Sequence, residues 1–203
     1  MKNKKTNKLE SKEEFFELYK KNLINIINAI SDREISEFIN VLLEARERGS
    51  TVYFIGNGGS ASTASHFVND LSIGVRSSNK PFRAISLCDN QAVITAIAND
   101  YGYEYIFSKQ LYTLLKEKDV VVAISASGNS KNLIKAINTA KEKKAITVGI
   151  LAFDGGELKN NVDMSVHVLT PQGMYGQAED AHMMLDHLIT SYLMSFILEQ
   201  ENG

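Results

Sequence analysis

Five short apolar runs, most of them separated by segments of helical periodicity, constrain the fold of this chain more than any other feature. The runs are Thr51–Ile55, Ala84–Leu87, Val120–Ile124, Thr147–Phe153 and Ser165–Leu169. Near-continuous apolar strands that alternate with helices are typical of a parallel sheet covered by helices on both faces. The pattern therefore predicts an α/β fold, in which ligands bind at the carboxyl ends of the strands.

Helical spacing of apolar residues fills most of the gaps between these runs. The predicted helices are Ser60–Ile73, Gln91–Ala98, Tyr105–Leu115, Asn132–Lys143 and a long final helix over about 178–198. We find no second domain, internal repeat or low-complexity insert in the chain.

Two further helices are predicted before the first strand. Ser11 with Glu14, and Ser31 with Glu34, each form the spacing of a capping box, and Gly49 provides a stop after the second helix. Both helices carry apolar stripes that need a partner surface. The sequence leaves two partners open, which are another subunit and the domain's own sheet.

Size, charge and cysteine content limit the class of protein. The 203 residues fit one domain, which we predict over residues 11–203 behind a basic tail at 1–10. A net charge of −2 gives nucleic acid no bulk attraction. No apolar run approaches the roughly 18 residues of a membrane helix, and no apolar stretch follows the basic start as in a signal peptide. The single Cys88, predicted to be a buried structural thiol, suits a cytoplasmic location.

Two loops of small residues each follow an apolar run and precede a predicted helix. They are the glycine loop, Gly56–Ser60, and the serine loop, Ser125–Ser130. Such loops offer backbone N–H groups and hydroxyls to an anion. Neither loop has the Gly-Lys-Ser/Thr of a P-loop, and the first does not match the GxGxxG pattern. We therefore predict one phosphorylated ligand, other than a nucleotide, at the strand ends.

Histidines and carboxylates recur on two predicted helices. His66 and Asp70 are spaced i, i+4, so both face one way. The last helix carries Glu179, Asp180, His182, Asp186 and His187. These residue types suit a divalent metal such as zinc, or acid–base chemistry near neutral pH. From spacing alone, a surface hydrogen bond between His66 and Asp70 and a polar stripe on the last helix remain alternative interpretations.

Several motifs occur together in an order that resembles the sugar isomerase (SIS) domain family. They are Gly56–Ser60, His66-Phe67, Ala98–Asp100, Ser125–Ser130, Asp154–Gly156 and Glu179–His182. The chain is most similar to the phosphoheptose isomerase group of that family. The resemblance implies a three-layer α/β/α sandwich with a five-stranded parallel sheet, and a homotetramer with active sites between subunits. It also implies isomerisation of sedoheptulose 7-phosphate to D-glycero-D-manno-heptose 7-phosphate, the first step of nucleotide-activated heptose synthesis.

The resemblance also assigns substrate-binding residues. The positions that match those of the family are Asn57, Gly58, Gly59, Asn99, Asp100, Ser125, Ala126, Ser127, Ser130 and Glu179. The serines hold the phosphate, with Ala126 where the family usually has Thr. The Asn99–Asp100 pair meets the sugar hydroxyls.

A zinc ion, one per subunit, and an acid–base pair follow from the same resemblance. His66, Asp70, Glu179 and His187 match the zinc positions, and Asp70 and His187 also match the acid–base pair. Family members similar to the enzyme of lipopolysaccharide synthesis differ from this chain at two of these positions. They have Glu where this chain has Asp70, and Gln where it has Glu179. Gly176 replaces an Asp near the substrate, and these three differences bear on the identity of the sugar phosphate rather than on the reaction type.

The predicted zinc ligands pose a geometric problem. Glu179 and His187 lie about 12 Å apart along a straight helix. Either Glu179 precedes the first turn, or the two residues come from different subunits. His182 is a local competitor for the ligand role. A second function also stays open, since some SIS proteins are non-catalytic scaffolds that bind a replication-initiation protein. They tend to lack the acid–base pair that this chain has at Asp70 and His187.

Overall fold

A five-stranded, all-parallel sheet forms the centre of the protein in the computed structural model, which describes residues 11–77 and 79–202. The strand order is β2-β1-β3-β4-β5. The strands are β1 Thr51–Gly56, β2 Arg83–Ser86, β3 Val120–Ser125, β4 Ile146–Ala152 and β5 Met164–Val168. Each coincides within two residues at either end with one of the apolar runs, so the predicted α/β fold is confirmed.

Helices cover both faces of the sheet. They are α1 Lys12–Asn28, α2 Asp32–Arg48, α3 Gly59–Asn69, α4 Gln91–Tyr101, α5 Ser108–Leu114, α6 Lys131–Glu142, α7 Gly156–Asn161 and α8 Tyr175–Asn202. A π-helical turn at Asp70–Gly74 extends α3, and a 3-10 turn at Tyr103–Tyr105 joins α4 to α5.

Two hydrophobic cores, one on each face of the sheet, account for the three layers. Along β1, Val52 and Phe54 point into the core made with α2, α3 and α8. The alternate residues Tyr53 and Ile55 point into the core made with α4 to α7. Because successive residues of a strand point to opposite faces and both faces are buried, every position of such a strand is apolar, and the strands form continuous apolar runs in the sequence.

The capping signals of the two leading helices are confirmed. Ser11 Oγ accepts a hydrogen bond from the Glu14 N–H at 3.1 Å, and Ser31 Oγ accepts one from the Glu34 N–H at 3.3 Å. Gly49 ends α2 in the left-handed conformation, with φ of +68°.

The leading helices differ in where they bury their apolar stripes. Helix α2 packs on the protein's own sheet, where Phe38 and Leu42 are fully buried. Helix α1 packs against α8 and leaves Phe15, Phe16 and Ile24 exposed. The tail at 1–10 lies outside the described residues, and the extent of the domain stays a prediction. Among residues 11–77 and 79–202, no helix has the length and hydropathy needed to span a membrane.

Strand order brings the two small-residue loops together. The chain goes from β1 outward to β2 and then returns to place β3 on the other side of β1, with Gly56 opposite Ile124. Such a reversal of strand order creates a crevice at the carboxyl ends of the two central strands. The glycine loop follows β1 and the serine loop follows β3, so both lie at this crevice. Cys88, which was predicted to be buried, is half-buried beside the Gly56 carbonyl, and burial raises the pKa of its thiol.

Candidate active site

The two loops line a pocket of about 170 Å³ at the crevice between β1 and β3, which we call the serine pocket. Six of the predicted substrate-binding residues line it, namely Asn57, Ser125, Ala126, Ser127, Ser130 and Glu179. Ser60 and Tyr175 also line the pocket and were not among the predicted residues. Ser60 lies in the glycine loop itself, so the loop motif already contained the signal for it.

The serine loop has the hydrogen bonding of an anion site. Ser125 Oγ accepts a hydrogen bond from the Gly128 N–H at 3.0 Å, and Ser127 Oγ accepts one from the Asn129 N–H at 3.3 Å. A hydroxyl that accepts in this way keeps its own proton for donation to a ligand. Ser130 precedes α6, and its side chain makes no capping hydrogen bond. The pocket therefore combines three hydroxyls with the positive end of a helix dipole.

Asn57 is held by side chains that the sequence did not indicate. Its Nδ2 donates to Asn132 Oδ1 at 3.0 Å, and Asn132 Nδ2 donates back to Asn57 Oδ1 at 2.7 Å. The Tyr103 hydroxyl also donates to Asn57 Oδ1 at 2.9 Å. These bonds fix the amide of Asn57 at the edge of the pocket.

The remaining predicted substrate-binding residues do not line the pocket. Gly58 and Gly59 form the turn into α3, and Gly59 lies against the Glu179 carboxylate. A Cβ on Gly59 would lie 2.3 Å from Glu179 Oε2, so a side chain at this position would require the Glu179 carboxylate to move. Asn99 and Asp100 lie exposed on α4, where the Asn99 amide donates to Asp100 at 2.8 Å. Their role at the substrate stays a prediction.

A second constellation lies where α3 and its π turn meet α8. One ligand atom from each of His66, Asp70, Asp186 and His187 lies within 4.8 Å of all the others. The Nε2 atoms of the two histidines face each other at 3.1 Å, and His66 Nε2 lies 3.4 Å from Asp70 Oδ2. Imidazole nitrogens and carboxylate oxygens that converge in this way are a donor set for a divalent metal.

Asp186 is the member of this cluster to which the family resemblance assigns no role. It is fully buried, and neither of its carboxylate oxygens has a hydrogen-bond partner among the described residues. Burial, assisted by the negative charge of Asp70, raises the pKa of Asp186 to about 8. The sequence showed an acidic residue on α8 at this position, but nothing in the pattern indicated that it is buried beside Asp70.

The structure places the other two α8 candidates elsewhere. Glu179 lies within α8, which begins at Tyr175, so it does not precede the helix and cannot approach His187 in that way. Its side chain lines the serine pocket and does not belong to the four-residue cluster. His182 is also outside the cluster, and it is fully buried.

Burial of His182 predicts a loss of stability in acid. Burial lowers the pKa of His182 from 6.5 to about 4. The unfolded chain therefore takes up the proton at a higher pH than the folded one. Stability is complete above pH 6.5 and falls as the pH drops towards 4, by about 2 kcal/mol between pH 7.5 and 5.

Urea unfolding of His182→Leu and the unchanged protein at the two pH values measures this contribution. The leucine keeps a similar volume in apolar surroundings. Between pH 7.5 and 5 we expect the free energy of unfolding of the variant to fall by about 2 kcal/mol less than that of the unchanged protein. Asp186 titrates in the opposite sense in both proteins, so its effect cancels in the comparison. Equal losses in the two proteins would show that His182 does not titrate in this range.

Comparison with known proteins identifies the family. A sequence model described as SIS domain matches residues 15–152 of the chain. The chain belongs to the SIS domain family. Among curated SIS relatives, the phosphoheptose isomerase of Leptospira biflexa serovar Patoc is 40% identical over 155 residues, which cover 75% of this chain and 78% of the relative.

Solved structures agree with this membership. The phosphoheptose isomerase of Neisseria gonorrhoeae superposes with a TM-score of 0.82 at 28% identity, covering 91% of this chain and 100% of that one. The phosphoheptose isomerase of Francisella tularensis superposes with a TM-score of 0.79 at 27% identity, covering 90% of this chain and 95% of that one. The resemblance to the SIS family and its three-layer fold is thereby confirmed. These relatives support the reading as an enzyme and give no support to the scaffold alternative.

Proposed function

We propose that this SIS protein is an aldose–ketose isomerase that converts sedoheptulose 7-phosphate to D-glycero-D-manno-heptose 7-phosphate. The conversion is the first step of nucleotide-activated heptose synthesis. The observation that carries the proposal is the 40% identity with a phosphoheptose isomerase over most of both chains. The serine pocket and the His/carboxylate cluster supply the two chemical functions that such a reaction needs.

The phosphate end of the substrate fits the serine pocket. Three hydroxyls and the N-terminus of α6 converge there, and this arrangement favours an anion without a metal. Helix α8 contributes Glu179 to this pocket and His187 to the cluster, about 12 Å further along the helix axis. A phosphosugar that lies along α8 is therefore held at one end and reacts at the other, so phosphate binding positions the reacting carbons.

Proton transfer is assigned to Asp70 and His187. The reaction removes a proton from C1, beside the C2 carbonyl of the ketose, and returns a proton to C2 through an enediol. A second proton moves from the oxygen on C1 to the oxygen on C2, so atoms balance and no redox partner is needed. Carboxylate and imidazole are suited to these transfers near neutral pH, and the two residues lie in one cluster.

A divalent cation, with zinc as the first choice and one ion per subunit, fits the same cluster. The fit rests on the donor set of two imidazoles and two carboxylates, one of which is buried without a partner. His66, Asp70 and His187 would hold the ion, and Glu179, the fourth ligand that the family resemblance implies, would come from a neighbouring subunit, because the Glu179 of the same chain lies in the serine pocket. When bound, the ion polarises the substrate carbonyl.

The assembly and location belong to the same proposal. Helix α1 exposes Phe15, Phe16, Leu18 and Ile24, which is an apolar surface suited to contact between subunits. We propose a cytoplasmic homotetramer with active sites between subunits, in which each chain folds as one domain over 11–203. The proposed partners are the phosphosugar and copies of the chain itself, with no nucleic acid and no membrane.

A comparison of two sugars tests the proposed reaction. Purified protein with zinc is incubated with sedoheptulose 7-phosphate or with free sedoheptulose, and aldose formation is followed. We expect turnover of the phosphorylated sugar, with kcat/KM at least 100-fold lower for the free sugar, because phosphate binding positions the reacting end. Equal kcat/KM for both sugars would refute the role of the serine pocket, and no turnover of either would refute the proposed reaction.

A further inference from the structure

We propose that Asn132 and Tyr103 are positioning residues, which fix the Asn57 side chain so that it donates a hydrogen bond into the serine pocket. Of these three residues, the family resemblance assigns substrate binding to Asn57 alone. The inference deepens the proposed function, since it rests on an anion binding in the serine pocket. It does not depend on which sugar is isomerised.

The side chains of Asn57 and Asn132 form a cyclic pair of amides across the crevice. Asn57 lies in the glycine loop after β1, and Asn132 lies in the first turn of α6, just after the serine loop. Each amide donates to the other, at 3.0 and 2.7 Å. Asn132 is only 3% exposed, so its polar atoms depend on partners within the protein. The pair lies within one chain and is complete without a neighbouring subunit.

The backbone of α6 decides the orientation of this pair. The Leu133 N–H donates to Asn132 Oδ1 at 3.0 Å. If the Asn132 amide were reversed, its NH₂ group would face that N–H, and two donors would meet. The Asn132 oxygen must therefore face Leu133, and Asn132 Nδ2 must donate to Asn57 Oδ1. The orientation of the Asn57 amide follows from this bond.

Tyr103 fills the remaining acceptor position of Asn57. A carbonyl oxygen accepts two hydrogen bonds, and Asn57 Oδ1 accepts one from Asn132 and one from the Tyr103 hydroxyl at 2.9 Å. Asn132 Oδ1 uses one hydrogen of Asn57 Nδ2, and the other has no acceptor among the described residues. Because Asn57 lines the serine pocket, this second hydrogen is available to a ligand there. Asn57 can therefore donate to a ligand but cannot accept from one.

A side chain that only donates suits a phosphate, whose charged oxygens are strong acceptors. An amide that could turn over would also present its oxygen, which repels the oxygens of phosphate. Fixing the amide in advance also removes the entropy cost of ordering it when the ligand binds. Neither Asn132 nor Tyr103 lines the pocket, so both increase the affinity for phosphate through Asn57.

Binding of inorganic phosphate tests the inference without isomerisation. Dissociation constants are obtained from the rise in Tm with phosphate concentration, at constant ionic strength in chloride. We expect phosphate binding to weaken about 10-fold in Asn57→Ala, about 5-fold in Asn132→Ala and about 3-fold in Tyr103→Phe, which loses a single hydrogen bond.

Tyr101→Phe is the matched control for Tyr103→Phe. The two tyrosines are equally exposed, at 57% and 56%. The Tyr101 ring lies 4.1 Å from Lys109 Nζ, and the variant keeps that ring. We expect its phosphate binding to equal that of the unchanged protein.

Double variants distinguish positioning from a general loosening of the loops. If Asn132 and Tyr103 act only through Asn57, their removal in an Asn57→Ala background has no further effect on phosphate binding. A residue that merely holds the loops together would weaken binding by the same factor in both backgrounds. We expect Asn57→Ala to bind phosphate equally well with and without Asn132→Ala or Tyr103→Phe, within about 1.5-fold.

The same unfolding curves show whether each variant is folded. If Asn132→Ala does not fold, the cycle of Asn57→Ala with Tyr103→Phe decides alone, since Tyr103 is more than half exposed. Undiminished phosphate binding in the single variants of Asn132 and Tyr103 overturns the inference. An additive loss in the double variants also overturns it, as does a lack of phosphate binding by the unchanged protein. A protein that binds phosphate in the expected pattern but isomerises no sugar refutes the proposed function and leaves this inference standing.

Discussion

His187→Ala lowers kcat for sedoheptulose 7-phosphate about 10³-fold, while binding of the phosphosugar largely survives. The expected loss is large because His187 belongs both to the acid–base pair and to the His/carboxylate cluster, where its Nε2 lies 3.1 Å from His66 Nε2. The phosphate end is held separately, in the serine pocket at the other end of the same stretch of α8. Steady-state kinetics measures turnover, and calorimetric titration with the phosphosugar measures binding.

Asp70→Asn separates proton transfer from metal binding. The amide keeps an oxygen that can remain near an ion, but it cannot accept a proton at neutral pH. We expect turnover to fall to a similar extent, with more zinc retained than in His187→Ala. Metal analysis of the same samples gives the comparison. Full activity in either variant would contradict the assignment of the acid–base pair.

Gly128→Ala destabilises the protein by at least about 3 kcal/mol, because the serine loop packs against a second loop at this position. A Cβ on Gly128 would lie 1.9 Å from the Gly155 carbonyl oxygen, a backbone atom that cannot move aside cheaply. The residue also has φ of +63°, where a side chain is strained. We expect the variant to lose the ordered serine loop together with its stability.

Gly49→Ala is the matched control for this clash. Gly49 has a similar φ of +68°, but a Cβ added there would meet nothing within 4 Å. It should therefore cost only the backbone strain, about 1 to 2 kcal/mol. Urea unfolding of both variants isolates the steric part as the difference between them. Equal free energies of unfolding would show that the contact between the two loops does not require glycine.

The fold could be predicted from the sequence because its signals are local. A strand buried on both faces is apolar at every position, so β3 and β4 stood out without knowledge of their partners. The caps at Ser11 and Ser31 depend on residues three positions away. Helix α7 was missed because its six residues carry a single buried apolar side chain, Leu158, and so show no helical period.

The candidate site could be predicted only where its residues form motifs along the chain. The serine loop is continuous, and the structure places its hydroxyls around one pocket. The hydrogen bonds between Asn57 and Asn132 and the proximity of Asp70 to Asp186 join residues far apart in sequence. No spacing rule encodes such contacts. A buried carboxylate such as Asp186 looks like an exposed one until the helices that cover it are known.

A proton NMR time course in D₂O tests the central claim most directly. The purified protein, loaded with zinc, is mixed with sedoheptulose 7-phosphate, and the C1 protons of the ketose and the aldehyde-derived C1 proton of the product are followed. The account predicts loss of ketose signal, appearance of the aldose, and deuterium at C2 of the product from exchange at the enediol stage. A ketose that neither converts nor exchanges its C1 protons, in a folded and zinc-loaded sample, would contradict the account.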